Sequence, residues 1–408
     1  MDSYDVVIVG GGEAGVGAAL NLRSWGFTGS VLLIAGEAEA YHRPPLSKGF
    51  IEGTEGREAL HSASDADFAQ MDLHTRFGAR VTAIDRSRKV VLTDEGDVGY
   101  GHLVLATGAR NRSLTDRDLT GLVQLRTVDD GQRLRDALRA HSSIVVIGAG
   151  FLGLEVASVA ADLGLDVEVV EFAQAPLGGK VSAPTVQAIE SYLRSCGIRF
   201  SLGVGVSEFL EEDRALTGLV LSDGRVIETS LALACIGVVP EVALAEAAGL
   251  KIGNGIETDE YLVTSDPDIS AIGDCASYPT RDGSRLRVES IANALGQADA
   301  VARRLAGTVE PYTAVPWFWS VYGPHRMEIV GVRNQVDEVI VHGSPLDHDF
   351  AAYCFYEGEL VCFESLNRAR EHMKMRRLFE KGTKPTPDIV GTRGFSLADW
   401  KPAPVATT

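Results

Sequence analysis

Closely spaced cysteines are missing from this sequence. Its five cysteines, Cys196, Cys235, Cys275, Cys354 and Cys362, are scattered from residue 196 onward, and no two of them form a CxxC pair. An odd number of scattered cysteines indicates neither a disulfide framework nor a zinc site. We expect them to pack as small hydrophobic side chains. The sequence therefore argues against chemistry that needs a pair of redox-active thiols.

Long apolar runs and an excess of positive charge are also missing. No stretch approaches the ~20 uninterrupted apolar residues that a membrane-spanning helix needs. The formal net charge is −18, which argues against nucleic-acid binding. The N-terminus continues directly into an apolar segment without the pattern of a secretory leader, so we expect a cytoplasmic protein. A chain of 408 residues is long enough for two or three domains.

Glycine is abundant, and one glycine-rich turn organises the sequence. An apolar run typical of a buried parallel strand ends at Val9, and Gly10, Gly12 and Gly15 follow it in GxGxxG spacing. The first glycine permits the tight bend, the second lets a diphosphate approach the backbone, and the third lets helix and strand pack closely. The helix N-terminus supplies free N–H groups. This predicts a dinucleotide site, with a glycine turn that binds no ligand as the alternative.

Further candidate ligands follow this turn. Glu37 lies just past the next predicted strand, where an acid can bind a ribose hydroxyl, and a solvated loop acid is the alternative. Pro44 and Pro45 hold the next segment extended. Arg43 and Lys48 on this stiff connection suit a diphosphate and an electron-rich ring. A surface turn with incidental charge is the alternative.

The same pattern occurs a second time. Gly148, Gly150 and Gly153 follow another apolar strand in the same spacing. Glu155 lies on the helix that follows, and the next strand ends on an acid, Glu171. Two complete units of strand, glycine turn, helix, strand and acid do not arise by accident. The sequence therefore predicts two bound dinucleotides.

Later segments complete this pattern and then change character. The apolar strand within residues 264–276 ends in Gly273 and Asp274, whose carboxylate can bond a polyhydroxyl chain beside a nucleotide; an ordinary Gly-Asp turn is the alternative. Residues 288–305 predict a helix. From residue 312 onward, aromatic alternating segments predict an antiparallel sheet, which a basic helix at 368–379 closes. We expect the tail after Trp400 to be disordered.

Eight segments together resemble one family. They are GGGEAG at 10–15, RPPLSK at 43–48, ATGAR at 106–110, GAGFLGLE at 148–155, GVVPEVALAEAAGL at 237–250, TSDPDISAIGDCA at 264–276, ESIANALGQA at 289–298 and VPWFWS at 315–320. The family is that of FAD- and NADH-dependent ferredoxin reductases serving Rieske dioxygenases and haem monooxygenases, a branch of the pyridine nucleotide–disulfide oxidoreductase superfamily. The resemblance extends to about residue 385. RPPLSK and VPWFWS are specific because the wider superfamily lacks them.

The resemblance implies an α/β fold. It contains two Rossmann-like, glutathione-reductase-like dinucleotide-binding domains and a C-terminal α+β domain with an antiparallel sheet. The implied domains are residues 1–112 with 240–311 for FAD, 113–239 for NADH, and 312–402 covering the flavin. The implied enzyme transfers hydride from NADH to FAD, and then single electrons to a 2Fe–2S ferredoxin that serves an oxygenase. An NADH oxidase or a dehydrogenase related to the apoptosis-inducing factors is the alternative, and monomer and homodimer both stay open.

The resemblance also implies which residues form the site. Lys48, Glu155 and Trp319 are the implied catalytic residues, and no metal ligand is implied. The implied cofactor contacts are Gly10, Gly12, Glu13, Ala14, Gly15, Glu37, Arg43, Lys48, Val81, Ala106, Thr107, Gly108, Arg126, Gly148, Gly150, Phe151, Leu152, Gly153, Glu155, Glu171, Gly237, Gly273, Asp274, Glu289, Ser290, Ala292 and Trp319.

The chain departs from the family pattern at a few positions. Val321 and Tyr322 replace a carboxylate and an amide that the family usually carries near the flavin, and Ala369 replaces a proline. Glu13 places an acid inside the first phosphate-binding turn, and we expect its side chain to point to solvent. FAD binding is expected in spite of these changes.

A basic set near the C-terminus predicts the partner surface. Ferredoxins of this class are typically acidic, and local charge can guide docking to an acidic chain because the screening length is only ~8 Å at physiological salt. We expect a ferredoxin to dock beside Trp319 on part of a basic set formed by Arg303, Arg304, Arg368, Arg376 and Arg377. The alternative is that these arginines simply lie on the solvent-exposed faces of two helices and bind no partner.

Overall fold

The structure is a computed structural model that describes residues 1–280 and 283–402. The expected disordered tail falls mostly on residues 403–408, which lie outside the described residues. Within the described residues, no helix is long and apolar enough to cross a membrane.

The strands of the described residues are β1 Asp2–Val9, β2 Val31–Ala35, β3 His74–Phe77, β4 Val81–Asp85, β5 Val90–Thr93, β6 Val98–Leu105, β7 Ala109–Asn111, β8 Leu122–Val123, β9 Ser143–Ile147, β10 Asp166–Glu171, β11 Arg199–Leu202, β12 Val206–Glu212, β13 Ala215–Leu221, β14 Val226–Glu228, β15 Ala232–Ala234, β16 Val238–Pro240, β17 Ile252–Gly253, β18 Gly255–Glu257, β19 Ile269–Ala271, β20 Ala276–Pro279, β21 Arg285–Leu286, β22 Trp317–Tyr322, β23 His325–Gly331, β24 Glu338–Ser344, β25 Asp349–Tyr356 and β26 Glu359–Leu366. The helices are α1 Glu13–Ser24, α2 Gly49–Glu52, α3 Asp65–Gln70, α4 Val128–Ala140, α5 Phe151–Asp162, α6 Ala183–Ser195, α7 Ala243–Ala247, α8 Ile291–Leu305, α9 Ala369–Glu380 and α10 Pro387–Val390. Short 3-10 turns lie at Pro44–Ser47, Arg57–Leu60, Pro176–Gly179 and Gly273–Cys275. The expectation that Pro44 and Pro45 hold their segment extended was wrong, because the fixed φ angle of proline also suits the first turn of a helix.

The chain divides into two compact units. The first contains Met1–Pro45, Glu55–Arg110 and Val238–Ala314. The second contains Leu46–Thr54, Asn111–Gly237 and the chain from Val315 onward. The second unit thus combines the segments that we assign to the NADH domain and to the C-terminal domain. The assignment of three functional domains stays a prediction.

The first unit is built on a sheet whose parallel strands lie in the order β3-β2-β1-β6, with β19 also parallel to β6. Strands β5 and β4 extend it in antiparallel fashion. All five residues of β2 are buried, as the continuous apolar run of a parallel strand requires. Helices α1 and α8 pack together against one face, where apolar residues of β1, α1 and α8 form one core cluster.

The second unit repeats this topology. Its parallel sheet has the order β11-β10-β9-β15-β8. The strand before the glycine turn, β9, thus lies between β10 and β15, just as β1 lies between β2 and β6 in the first unit. A three-stranded antiparallel sheet, β12-β13-β14, is inserted between β11 and β15. The predicted pair of Rossmann-like units is confirmed.

The C-terminal part of the second unit is an antiparallel sheet in the order β22-β23-β26-β25-β24. The aromatic alternating segments predicted this sheet, and the basic helix that follows them is α9. Apolar residues of β25, β26 and α9 form a common core with Val390 and Leu397. The predicted α/β fold with a C-terminal antiparallel sheet is therefore confirmed.

A buried carboxylate on this sheet holds the start of α6. Glu364 on β26 has 0% exposure. Its carboxylate accepts bonds from the backbone N–H of Ser182 at 2.8 Å and from the hydroxyls of Ser182 and Thr185 at 2.6 and 2.5 Å. Ser182 is the N-cap residue of α6, so a strand 182 residues away satisfies one free backbone donor of this helix end. Burial raises the pKa of Glu364, and its bonds to Ser182 and Thr185 act in the opposite direction.

Replacing Glu364 by Gln should destabilise the second unit. The amide keeps the volume but turns one acceptor into a donor that faces hydroxyl groups, so we expect a loss of about 1–3 kcal/mol in the free energy of unfolding. Thermal unfolding measures this loss. The matched control is Glu359→Gln. Glu359 is 76% exposed and its one ion pair, with Lys384 Nζ, is long at 3.6 Å, so the substitution should change the free energy of unfolding by less than about 0.5 kcal/mol. Equal effects of the two substitutions would contradict this role.

Candidate functional site

The two glycine turns have the same geometry. Gly10 N–H donates to the carbonyl of Ile34 at 2.8 Å, and Gly148 N–H donates to that of Val170 at 2.8 Å. Both glycines have positive φ angles, +120° and +106°. In each unit the turn thus joins the end of the first strand to the second strand in the same way.

Close backbone contacts explain the outer glycines of each turn. A Cβ atom on Gly10 would lie 2.1 Å from the carbonyl oxygen of Ala106, and one on Gly15 would lie 1.8 Å from the oxygen of Gly10. In the second unit, a Cβ atom on Gly148 would lie 2.4 Å from the oxygen of Cys235, and one on Gly153 2.2 Å from that of Gly148. A side chain on the last glycine would push the helix away from the turn, and one on the first would push the turn away from the neighbouring strand end.

The middle glycines face open space. A Cβ atom on Gly12 or Gly150 would meet nothing within 4 Å. Each of these residues is the N-cap of the following helix, α1 or α5, and neither helix end has a side-chain cap. Each turn therefore presents uncapped N–H groups and a positive helix end to an open cradle. The cradles fit the diphosphates of two dinucleotides.

In the first unit, the Gly273–Asp274 turn reaches the same helix end. A Cβ atom on Gly273 would lie 2.9 Å from Cβ of Ala14 in α1, and Gly273 N–H donates to the buried side chain of Gln297 at 2.7 Å. The predicted contacts from α1, from Ala106 and from Gly273 are thus brought together. Asp274 follows directly in the chain.

The predicted acid of the first unit is held by its neighbours. Glu37 follows β2 and accepts bonds from Arg43 Nη2 at 2.7 Å and from the hydroxyl of Tyr41. Arg43 also lies 5.7 Å from the ring centre of Tyr41. This cluster fixes the carboxylate at the end of the strand, as a ribose ligand requires.

Glu13 differs from its prediction. Its side chain is only 11% exposed and its carboxylate lies 2.7 Å from His42 Nδ1. The expectation that it points to solvent was wrong, because a histidine one residue before Arg43 offers it a partner that the local sequence does not reveal. The acid thus faces another side chain of its own unit.

Other predicted FAD contacts of the first unit occupy varied environments. Val81 lies in a core cluster at the start of β4. The Thr107 hydroxyl donates to the carbonyl of Glu241 at 2.6 Å, and Gly108 has a φ angle of +71°. Glu289 pairs with Arg287 at 2.7 Å, and Ser290 is the N-cap of α8, whose first turn contains Ala292.

In the second unit, Glu171 ties the glycine turn to its own strand. Its two carboxylate oxygens accept bonds from the backbone N–H groups of Ala149 and Ala173, each at 2.7 Å. The carboxylate therefore lies beside the turn at the end of β10. Gly237 lies past the end of β15 with a φ angle of +93°, and Arg126 directly precedes the capping box of α4.

A buried polar cluster surrounds Glu155 on α5. Its carboxylate accepts bonds from Lys48 Nζ at 2.6 Å, from the Ser47 hydroxyl at 2.5 Å and from the Ser320 hydroxyl at 2.6 Å. The Glu155 side chain is 7% exposed, whereas that of Lys48 is 22% exposed. The carboxylate is therefore fully engaged, and the ammonium group is held at the edge of the cluster. Sequence reasoning missed Ser47 and Ser320 as ligands of Glu155, although each directly adjoins a predicted residue, Lys48 or Trp319.

Strand β22 presents Ser320 and two tryptophans on opposite faces, because side chains alternate along a strand. Ser320 faces Glu155, and the Phe318 ring lies 4.6 Å from that of Phe151 in α5. On the other face, Arg376 lies 3.8 Å from the Trp317 ring, and Arg326 lies 4.7 Å from that of Trp319. Lys48 Nζ lies 5.1 Å from the Trp319 ring. The predicted catalytic residues Lys48, Glu155 and Trp319 thus form one cluster.

Tyr322 extends the buried side of β22. It has 0% exposure, and its hydroxyl has no hydrogen-bond partner within the described residues. Burial and the nearby Glu155 carboxylate raise its pKa, so the phenol stays protonated. This chain thus places a neutral phenol where the family pattern has an amide, and Val321 lies on the opposite face.

The fold and its two cradles define an oxidoreductase that binds two dinucleotides. The comparisons agree. The family "Pyridine nucleotide-disulphide oxidoreductase" matches residues 4–298, and the family "Reductase C-terminal" matches residues 317–400.

Several relatives match over nearly the whole chain. Rhodocoxin reductase of Rhodococcus erythropolis is 38% identical, and the match covers 96% of this chain and 93% of the relative. The ferredoxin reductase for the CYP199A2 system of Rhodopseudomonas palustris has a TM-score of 0.93 at 39% identity, covering 98% of this chain and 99% of that one. Putidaredoxin reductase, solved in a covalent complex with putidaredoxin, has a TM-score of 0.93 at 33% identity, covering 97% of both chains.

The chain belongs to the pyridine nucleotide–disulphide oxidoreductase family. It is a flavoprotein oxidoreductase that uses FAD and a nicotinamide nucleotide.

Alanine at the middle glycines should separate binding from folding. Gly12→Ala places a methyl group in open space, so the apoprotein should keep its thermal stability while its affinity for FAD falls at least about tenfold. Gly150→Ala should instead keep FAD and lose affinity for the nicotinamide nucleotide. Gly15→Ala is the contrasting variant, because its Cβ would lie 1.8 Å from a carbonyl oxygen; it should lower stability itself. Isothermal titration with FAD and with NAD+, together with thermal unfolding of the apoprotein, tests all three. Wild-type FAD affinity in Gly12→Ala would remove this turn from the FAD site.

Proposed function

We propose that this protein is an NADH-dependent ferredoxin reductase that supplies electrons to an oxygenase through a 2Fe–2S ferredoxin. The observation that carries the proposal is the Lys48, Glu155 and Trp319 cluster in a chain with two dinucleotide cradles. The three similar reductases described above support it by their names and by the partner seen with one of them. A flavin supplies the chemistry, since it accepts a hydride at N5 and returns electrons one at a time.

Lys48 is the residue we assign to the flavin. Glu155 fixes its ammonium through a 2.6 Å ion pair, and the other two donors to Glu155 prevent the carboxylate from turning away. A positive charge held beside the ring favours the electron-rich reduced form. The protein thus contributes position and electrostatics, and its side chains need not act as a general base.

Glu171 is the residue we assign to the choice of nucleotide. Its carboxylate at the end of β10 can accept from ribose hydroxyls and repels a 2′-phosphate, and residues 172–179 contain no arginine to receive one. NADH is therefore the proposed donor.

We place the partner surface on the C-terminal part of the second unit. Arg370, Met373 and Arg377 lie on the exposed side of α9, and Met373 is 54% exposed. Neither arginine makes an ion pair with a described residue. Arg376, which is also on α9, lies over the ring of Trp317. Two free cations around an apolar side chain suit an acidic ferredoxin that must dock and leave quickly.

The other arginines of the predicted basic set are engaged elsewhere. Arg368 pairs with Asp349 at 2.7 Å and with Glu371 at 2.9 Å. In the first unit, Arg303 pairs with Asp299 and Glu310, and Arg304 donates to Ser270 at 2.6 Å. We therefore leave Arg303, Arg304 and Arg368 out of the proposed docking surface.

An NADH oxidase or a dehydrogenase without a dedicated ferredoxin is the second candidate. Disulfide chemistry has little support, since Cys235, which borders the second glycine turn, has a pKa raised to about 12 by burial. NADH consumption with and without a 2Fe–2S ferredoxin separates the candidates. Slow turnover alone and fast turnover with ferredoxin support the reductase, whereas rapid oxygen consumption without it contradicts the proposal. Cytoplasmic location stays a prediction.

Glu171→Arg should shift the nucleotide preference towards NADPH. We expect the NADH-to-NADPH ratio of kcat/KM to fall on the order of 100-fold, about 2.7 kcal/mol, because a repulsive charge becomes attractive. Glu171→Gln is the control that removes the negative charge but keeps one of the two acceptors for the N–H groups of Ala149 and Ala173. A wild type that uses NADPH as well as NADH would contradict the assignment.

Lys48→Met should slow flavin reduction by NADH on the order of 100-fold while bound FAD stays in place, because the charge beside the ring is lost. Stopped-flow reduction and the flavin absorbance of the purified protein measure the two quantities. Lys381→Met, at an exposed lysine just after α9, is the control. An unchanged rate of reduction would remove Lys48 from the flavin site.

Reversing charge on α9 should weaken ferredoxin docking. For the double variant Arg370→Glu with Arg377→Glu we expect the apparent KM for an acidic ferredoxin to rise roughly tenfold at low salt, with a smaller effect at high salt. Ferricyanide reduction should stay normal. Arg214→Glu is the control for reversing an exposed charge elsewhere, since Arg214 is 69% exposed in the turn between β12 and β13, where it pairs with Asp118. Equal ferredoxin kinetics for the double variant and wild type at low salt would place the docking surface elsewhere.

A further inference from the structure

An exposed phenylalanine follows Glu171 at the end of β10. Phe172 is 80% exposed, although the strand before it contributes buried residues to the sheet. Burying an aromatic side chain of this size is among the larger gains available to a protein. The fold leaves this gain unused at a position beside the second glycine turn.

The backbone that carries Phe172 is fixed on both sides. Glu171 binds the N–H groups of Ala149 and Ala173, each at 2.7 Å. On the other side, the loop after β11 is bound to the same segment, since Val204 N–H donates to the Glu171 carbonyl at 3.1 Å and Gly203 N–H to that of Ala173 at 2.9 Å. The ring is exposed, but the backbone segment that carries it is held by hydrogen bonds on both sides.

Glycines line the loop beneath the ring. A Cβ atom on Gly205 would lie 3.4 Å from Phe172 Cδ2, in ordinary van der Waals contact. Gly203 has a φ angle of +72°, and a Cβ atom there would lie 2.6 Å from the side-chain amide of Gln174. The phenyl ring thus lies beside Gly205, which has no side chain, and most of its surface stays open.

The order of groups in a dinucleotide places the adenine here. The diphosphate lies at the glycine turn and the adenosine ribose at the acid that ends the second strand, so the base lies one step further out. We propose that Phe172 stacks on the adenine of the nicotinamide dinucleotide and distinguishes a dinucleotide from a mononucleotide donor. This inference rests on the proposed nicotinamide site in the second unit.

Stacking predicts a selective loss of affinity. Replacing an aromatic residue that stacks on a base by alanine lowers the affinity for the base roughly 5- to 150-fold. The loss should appear for every ligand that contains the adenosine half. It should be absent for reduced nicotinamide mononucleotide, which lacks that half.

The experiment uses the FAD-loaded protein and two readouts. Isothermal titration with ADP-ribose should show a Kd roughly 5- to 150-fold higher for Phe172→Ala than for wild type, and a Kd within about twofold for Phe172→Tyr. Stopped-flow reduction by reduced nicotinamide mononucleotide should be the same in all three proteins. Thermal unfolding should be unchanged, because the side chain is exposed. Val226→Ala, at an apolar residue that is 56% exposed on β14, is the control for loss of any exposed apolar side chain.

The outcomes separate this inference from the function on which it rests. An unchanged ADP-ribose affinity in Phe172→Ala, with affinity lost in Gly150→Ala, overturns the stacking role alone. An equal loss with the mononucleotide overturns it as well, since the effect would not depend on adenine. A wild type that does not bind ADP-ribose overturns both the stacking role and the second nucleotide site.

Discussion

Both cradles depend on backbone segments that touch where a Cβ atom would otherwise lie. In each unit the first turn of a helix approaches the end of a strand so closely that a side chain on the outer glycines would collide with a carbonyl oxygen. This contact fixes the angle at which the helix leaves the sheet. The middle glycine and the uncapped N–H groups then face outward, and the acid at the end of the neighbouring strand lies within reach of the same ligand.

The sequence predicted these parts well because each is a local pattern. Spacing alone identifies the glycines, and position after an apolar strand identifies Glu37 and Glu171. Strand alternation likewise predicted the C-terminal sheet. The contacts that sequence reasoning missed join distant segments through single side chains. Glu13 with His42, and Glu155 with Ser47 and Ser320, involve polar residues that are common in any chain. Which residues they contact depends on how the helices and strands pack, and the sequence pattern does not predict this packing.

Strand β22 shows how one short element serves two tasks. Its side facing α5 combines Phe318, which packs on Phe151, with two buried residues, Ser320 bound to Glu155 and Tyr322 nearby. Its other side carries aromatic rings covered by arginines. A shift of one residue in its pairing with β23 would exchange the two sides. The exact register, with Trp319 opposite Glu328 and Tyr322 opposite His325, is therefore part of the site.

The carboxylate of Glu364 has a consequence for how such chains can be recombined. It belongs to the C-terminal sheet, yet it completes the first turn of a helix that follows the second glycine turn in the chain. A C-terminal segment transplanted from a reductase without a carboxylate at this position would leave Ser182 and Thr185 without their acceptor. A functional chimera would then have to exchange residues 182–185 together with the sheet. The boundary between interchangeable modules therefore includes the start of α6 as well as the start of the C-terminal sheet at β22.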